Sequence, residues 1–230
     1  MSIKKELNNS KPIISFTFDD FPSSAMYGAE LLADSNLSAT FYIAMHLMES
    51  SRFFTAEDIR WLVANNHELG CHTYDHKSMR FQTAKSINFS LANNQIALNR
   101  VIPGYKFQNF AYPFGVLPFL SSMEIPNSFT SARGIRQGIN HRSVEIYNLK
   151  TVKLYEQIHS IEQIKRYLDK TLELNGWIIF YTHGIEKEYD RYSCSPEYFN
   201  EVLNLSKNSG FDILSVNQVV DFLIVDQKNV

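Results

Sequence analysis

Ser15-Phe16-Thr17-Phe18-Asp19-Asp20 is an apolar strand-like run that stops abruptly at two adjacent carboxylates. Acids leaving a buried strand are costly unless each is solvated, paired or metal-bound. Successive strand residues point to opposite sides, so Asp19 and Asp20 can serve different partners, one a metal and one a substrate water. By itself the pair reads first as a solvated loop or a helix cap, and its meaning depends on what the rest of the chain places beside it.

Outward from this run, short apolar segments alternate with longer helix-like stretches. Strands are expected at 13–18, 39–43, 68–71, 109–112, 128–132, 152–154, 177–181 and 211–214. Thr55-Ala56-Glu57-Asp58 reads as a capping box opening a helix. Ile161, Ile164, Leu168 and Leu172 recur at helical spacing behind Ser160, a suitable N-cap. Ser195-Pro196 places proline in a first helical turn. Such alternation predicts an α/β fold, a parallel sheet wrapped by helices and either closed as a barrel or open. Ligands of such folds gather at the carboxyl ends of strands, and the chemistry-bearing motifs fall just there.

After the third strand comes Gly70-Cys71-His72-Thr73-Tyr74-Asp75-His76. Histidines at i and i+4 are expected on one face of a helical turn, where both imidazoles can converge on one cation. With Asp20 as a third ligand, the set suits zinc, cobalt, nickel or iron(II) and leaves positions open for water and substrate. Asp75 either orients one of these histidines or faces solvent. Phe110-Ala111-Tyr112-Pro113-Phe114-Gly115 is a strand running into a turn. Phe180-Tyr181-Thr182-His183-Gly184 ends the most hydrophobic strand in a histidine, either a satisfied core residue or a general acid. His67, His141 and His159 match no motif and read as structural or surface residues.

The bulk numbers set bounds. At 230 residues with 44% hydrophobic and 20% charged residues, the chain reads as a polar tail, 1–11, followed by one globular domain, 12–230. A net charge of −2 with interspersed signs carries no basic footprint for nucleic acid. Apolar runs are too short for membrane insertion. No secretory signal is seen, so a cytoplasmic location is expected if the chain starts at its native methionine. Cys71 and Cys194 form no CxxC pair and read as free thiols, with a disulfide left open.

Taken together and in this order, the motifs resemble the polysaccharide-deacetylase family, also called the NodB-homology or carbohydrate esterase 4 group. The likeness runs from about Ile13 to Phe222. It implies a distorted (β/α)7 barrel, one strand fewer than the eight expected above, acting on a carbohydrate substrate. It implies Asp19 as catalytic base, and Asp20, His72 and His76 as ligands of one divalent metal ion. Zinc is the first choice, with cobalt, nickel, manganese or iron also compatible. It further implies His183 as general acid and a backbone N–H near Phe114 as an oxyanion donor, with Tyr112 beside it. The sequence departs from the family where an arginine usually opens the third motif: Ala111 stands there. Arg133 is the candidate substitute as partner of Asp19, the other reading being a surface arginine. Gly184 stands where an aspartate often follows the histidine, and Tyr181 where a leucine often shapes the acyl pocket. Residues 184–198, with Tyr189 and Tyr192, are either a substrate loop or plain surface. Competing readings are an amidohydrolase acting on a non-sugar amide, a carbohydrate-binding descendant without activity, and a metal-dependent phosphohydrolase. The last lacks the extra carboxylates and basic clamps it would need.

Overall fold

The computed structural model describes residues 3–119 and 123–225; residues 1–2 of the expected tail and 226–230 of the expected domain lie outside it. Ten strands are seen: β1 (Lys4–Glu6), β2 (Ile13–Asp19), β3 (Thr40–Ile43), β4 (Glu68–Cys71), β5 (Asn109–Ala111), β6 (Ser131–Gln137), β7 (Ser143–Glu145), β8 (Leu149–Lys153), β9 (Trp177–Thr182) and β10 (Asp212–Ile213). Seven helices accompany them: α1 (Met26–Asp34), α2 (Ala56–Ala64), α3 (Ala84–Val101), α4 (Glu124–Ser128), α5 (Ile161–Leu174), α6 (Pro196–Asn208) and α7 (Val216–Val225).

The parallel sheet runs β2-β3-β4-β5-β6-β8-β9, and β2 pairs back onto β9 over six residues, closing a seven-stranded barrel. The expected eighth strand exists but is not a stave. β10 pairs only with Ile13 and Ile14, while β3 pairs with β2 further up, at Thr17 to Asp19. It wedges into the amino-terminal gap between those two strands.

Alternation along β2 organises the layers. Ile14, Phe16 and Phe18 belong to the large core shared with the helices, and Phe18 stacks on Phe41 at 4.6 Å. Ser15, Thr17 and Asp19 occupy the other face, where Ser15 Oγ accepts from Trp177 Nε1 at 2.9 Å and Thr17 Oγ1 donates to the Phe180 carbonyl at 2.9 Å. A second apolar cluster, including Ile13, Leu149, Trp177, Ile179 and Val216, gathers at the amino-terminal ends of the strands. Beside it the buried Glu68 carboxylate accepts from Thr40 Oγ1 (2.7 Å), Asn109 Nδ2 (2.6 Å) and the Asn217 backbone N–H (2.8 Å), tying three strands to the start of α7.

Local signals formed where the sequence placed them. Thr55 and Asp58 make the capping box of α2, Ser160 and Gln163 that of α5, and Ser195 caps α6 with Pro196 at its first position. Two expectations change. The N-terminal stretch is not a loose tail: Lys4–Glu6 pairs antiparallel with Ser143–Glu145, and Leu7 joins the amino-terminal cluster, because an exposed edge and an apolar residue were available to each other. The strand expected at 128–132 begins at Ser131, since Glu124–Ser128 is helical. Both cysteines are buried free thiols.

Gly70 is required by the barrel interior. A Cβ there would lie 2.4 Å from the Tyr42 ring. Gly70→Ala should therefore destabilise the fold by about 1–3 kcal/mol through overpacking, read as a lower urea midpoint; an unchanged midpoint would show that Tyr42 has room to move.

Candidate active site

The site is built where β2, β4 and β9 end. Beyond Asp19 the chain turns at once: Asp20 and Phe21 both have positive φ, and the Phe21 N–H donates to the Asp19 carbonyl at 2.6 Å. The buried Phe21 ring, stacked on Phe54 at 5.2 Å, anchors the turn. Of nine non-glycine residues with positive φ among the described residues, five (Asp20, Phe21, Thr73, His76 and Phe114) surround this one site. That conformation is unfavourable for such side chains and persists only where surrounding structure enforces it.

His72 and His76 do not lie on a helix. They follow β4 in an irregular loop whose left-handed residues, Thr73 and His76, fold it back on itself. The convergence expected from i, i+4 spacing is reached by this loop instead. His72 Nε2 lies 3.5 Å and His76 Nε2 3.1 Å from Asp20 Oδ1, and the three donor atoms fall within 4.8 Å of one another. His72 Nδ1 is 2.7 Å from the Ala111 carbonyl and must carry a proton to bond it, which leaves Nε2 as a lone pair facing Asp20. Burial pushes His72 down to about 3 and lowers His76 as well, so both rings are neutral near pH 7. Burial, with Asp19 adding to it, raises Asp20 to about 6. Asp20 Oδ1 is buried and accepts no hydrogen bond. The His72 lone pair and an orphaned carboxylate oxygen facing one another repel unless a cation lies between them, so with His76 Nε2 beside them these donors fit a divalent metal.

The Asp75 carboxylate accepts from Ser90 Oγ at 2.6 Å and pairs with Lys77 at 2.9 Å, so it acts on His76 only through its charge. The Ala111 carbonyl orients His72 in its stead.

Asp19 is 5% exposed and Arg133 only 1%, and the guanidinium donates directly to Asp19 Oδ1. Arg133 is thus no surface residue. It is the register partner of Ala111 across β5 and β6, so the cation arrives from the strand beside the one expected to carry it. Its guanidinium lies over the rings of Tyr42 at 4.8 Å and Tyr181 at 5.1 Å. Burial, the largest single influence, would raise the Asp19 carboxyl; Arg133, His72 and His183 together outweigh it and hold the group below its ordinary value.

His183 stands across the cleft, its Nε2 3.8 Å from Asp20 Oδ2. Its Nδ1 is 3.2 Å from the Tyr155 hydroxyl and 3.3 Å from the Tyr192 carbonyl. Residues 184–198 therefore contribute to the site through Tyr192, while Tyr189 does not line the cleft. Phe114 packs its ring on His76 at 4.6 Å, whereas the Tyr112 hydroxyl is spent on the Tyr147 carbonyl at 3.1 Å. Tyr42 and Tyr155 were not singled out by sequence reading; Tyr155 was findable as a polar aromatic just past a strand's carboxyl end. The whole opens into a cleft of about 650 Å³, also lined by Arg52, Lys153 and Glu186.

A closed parallel barrel with acid and imidazole donors at its carboxyl end is a (β/α) barrel with a candidate site where such folds gather ligands. Residues 6–122 match the model of the family described as polysaccharide deacetylase, and the chain belongs to that family. Nothing among curated proteins matches it. Among solved structures, it is similar to the chitin deacetylase of Colletotrichum lindemuthianum (14% identity, 94% of this chain and 89% of that one, TM-score 0.70). It is also similar to a family 4 acetyl xylan esterase from Clostridium thermocellum in complex with a cobalt ion (19% identity, 91% and 90%, TM-score 0.64). A third is a carbohydrate esterase family 4 pseudoenzyme from Bacillus anthracis (12% identity, 94% and 67%, TM-score 0.64). At these identities the likeness establishes the shared fold.

Because the folded Asp19 sits below its unfolded value, the ionised group contributes stability above the ordinary carboxylate range, and this is lost as pH falls through the folded value. Arg133→Met leaves the carboxylate buried and unpaired. It should cost about 3–5 kcal/mol near neutral pH, and because the unpaired Asp19 is then pushed up by burial, the deficit should shrink as pH falls and the group protonates, measured by thermal melts across pH; superimposable curves would refute the pairing.

Proposed function

We propose that the protein is a metal-dependent deacetylase that removes an N-acetyl or O-acyl group from an amino sugar in a polysaccharide, an oligosaccharide, or a nucleotide- or lipid-linked precursor. A place in surface-polysaccharide assembly would suit such an activity. The observation that carries the reading is the convergence of Asp20, His72 and His76 donor atoms within 4.8 Å, with Asp19 on one side and His183 on the other.

In this reading Asp20, His72 and His76 hold one divalent cation, zinc by preference for such a nitrogen and oxygen donor set. When bound, the cation supplies Lewis-acid polarisation of the acyl carbonyl and of an attacking water. The protein's own groups do the rest. Arg133 occupies Asp19 Oδ1 and keeps the carboxylate ionised, leaving Oδ2 to receive the water's proton. His183 presents Nε2 to the cleft and delivers a proton to the departing amine, since a neutral amine leaves far more readily than an amide anion. With Tyr192 and Tyr155 around Nδ1, the ring is oriented with Nε2 toward the scissile bond. The Phe114 backbone N–H is the candidate donor to the oxyanion, and the Tyr181 ring, covering Arg133, bounds the place of the acyl group.

Asp19→Asn and His183→Ala should each lower deacetylation of acetylated chitooligosaccharides or nucleotide sugars by on the order of 10²–10⁴ while metal content, read by elemental analysis, stays intact. His72→Ala or His76→Ala should lose the metal itself. Tight metal binding with no turnover of any acetylated sugar would instead favour a non-sugar amide or a carbohydrate-binding protein without activity.

A further inference from the structure

Residues 77–123 contain Lys77, Arg80, Lys85, Arg100 and Lys106 but no aspartate or glutamate, in a chain whose 24 acids outnumber its 22 bases. This acid-free stretch forms one flank of the barrel: the end of the loop after β4, then α3, β5 and the turn beyond it. α3 is apolar on two faces. Ile87, Leu91 and Leu98 point into the core. On the opposite side Lys85, Phe89, Ala92, Ile96 and Arg100 follow one another at helical spacing, and Phe89 is 69% and Ile96 53% exposed.

At the cleft end of this stripe, Phe81 and Phe119 are 73% and 79% exposed. The Phe119 N–H donates to the Arg80 carbonyl at 3.2 Å, which ties their two loops together, and the Arg80 guanidinium lies over the Phe81 ring at 5.3 Å. Single exposed apolar residues need no explanation, but a row of them bordered by cations does, with Glu124, which accepts from Asn88 Nδ2, as an acid at its edge. Aromatic and aliphatic side chains beside lysine and arginine on one helix face suit the headgroup boundary of an anionic bilayer, where rings enter the acyl region and cations meet phosphates. A second copy of this chain suits it less, because a twofold contact would set the cations against each other. A neutral glycan would find few hydrogen-bonding groups there.

We propose that this face docks the protein on an anionic lipid surface. The segment that leaves the cleft at Phe114 reaches the patch at Phe119, so docking sets the cleft mouth beside the bilayer. Resting on the deacetylase reading above, the site then takes its acylated amino sugar from a lipid carrier.

Vesicle flotation tests this with phosphatidylcholine alone and with phosphatidylcholine mixed with phosphatidylglycerol. The full chain should float with the mixed vesicles only, and less at high salt. Phe89→Ser/Ile96→Ser and Lys85→Glu/Arg100→Glu should each weaken binding roughly tenfold or more. Melting curves of both variants should match the parent, as should turnover of a soluble acetylated sugar. Turnover of a lipid-anchored acetylated amino sugar in mixed vesicles should fall with binding. No flotation of the parent, flotation undiminished in both variants, or a dimer that buries Phe89 would overturn the docking face. Flotation as expected, with no sugar deacylated in any form, would leave the face standing and remove the deacetylase reading instead.

Discussion

A buried carboxylate and a buried guanidinium, Asp19 and Arg133, meet inside the barrel, and neither is tolerable without the other. Removing either partner leaves a charge in a poorly solvated interior, at a cost of several kcal/mol. The pair therefore couples β2 to β6, and the Tyr42 and Tyr181 rings over the guanidinium extend that coupling to β3 and β9. The first side chain of the candidate metal site, Asp20, follows directly from this junction in the chain. Asp20 stands where it does because the chain must turn immediately after Asp19, through backbone conformations that only a rigid neighbourhood sustains.

The same junction separates two carboxylates that are neighbours in the chain. Asp19 has a cation and is held low; Asp20 has none, is pushed up by burial, and faces neutral imidazoles. Adjacent acids with opposite shifts are a common way for one site to acquire two roles, a base and a ligand. An unmatched carboxylate oxygen facing two imidazole nitrogens is a destabilising arrangement that a divalent cation would reverse. Family membership and the shared fold agree with such chemistry, while the presence of a pseudoenzyme among the similar structures shows that the fold alone does not guarantee it.

The flank built from the acid-free stretch 77–123 gives the molecule a second polarity. Its cleft draws on residues from the carboxyl ends of strands, whereas the face beside it draws on the outward side of α3, which packing does not constrain. Among the described residues no helix is long and apolar enough to cross a membrane. Exposed phenylalanines there contribute nothing to the core, and their placement between cations calls for an external surface.

Sequence alone determined what depends on short stretches of chain. Strand and helix positions, the caps at Thr55, Ser160 and Ser195, and the order of the motifs are all set by neighbours within a few residues. The family likeness was legible for the same reason, because its motifs are contiguous. Only the tertiary structure decided how distant segments meet. It brought Arg133 to Asp19 across 114 residues, placed Tyr155 behind His183, and paired Lys4–Glu6 with Ser143–Glu145. It also turned an expected helical His72 and His76 into a strained loop. Barrel closure is the physical reason. It sets which strands are neighbours and how far each is staggered, and neither quantity is written in any local run of residues.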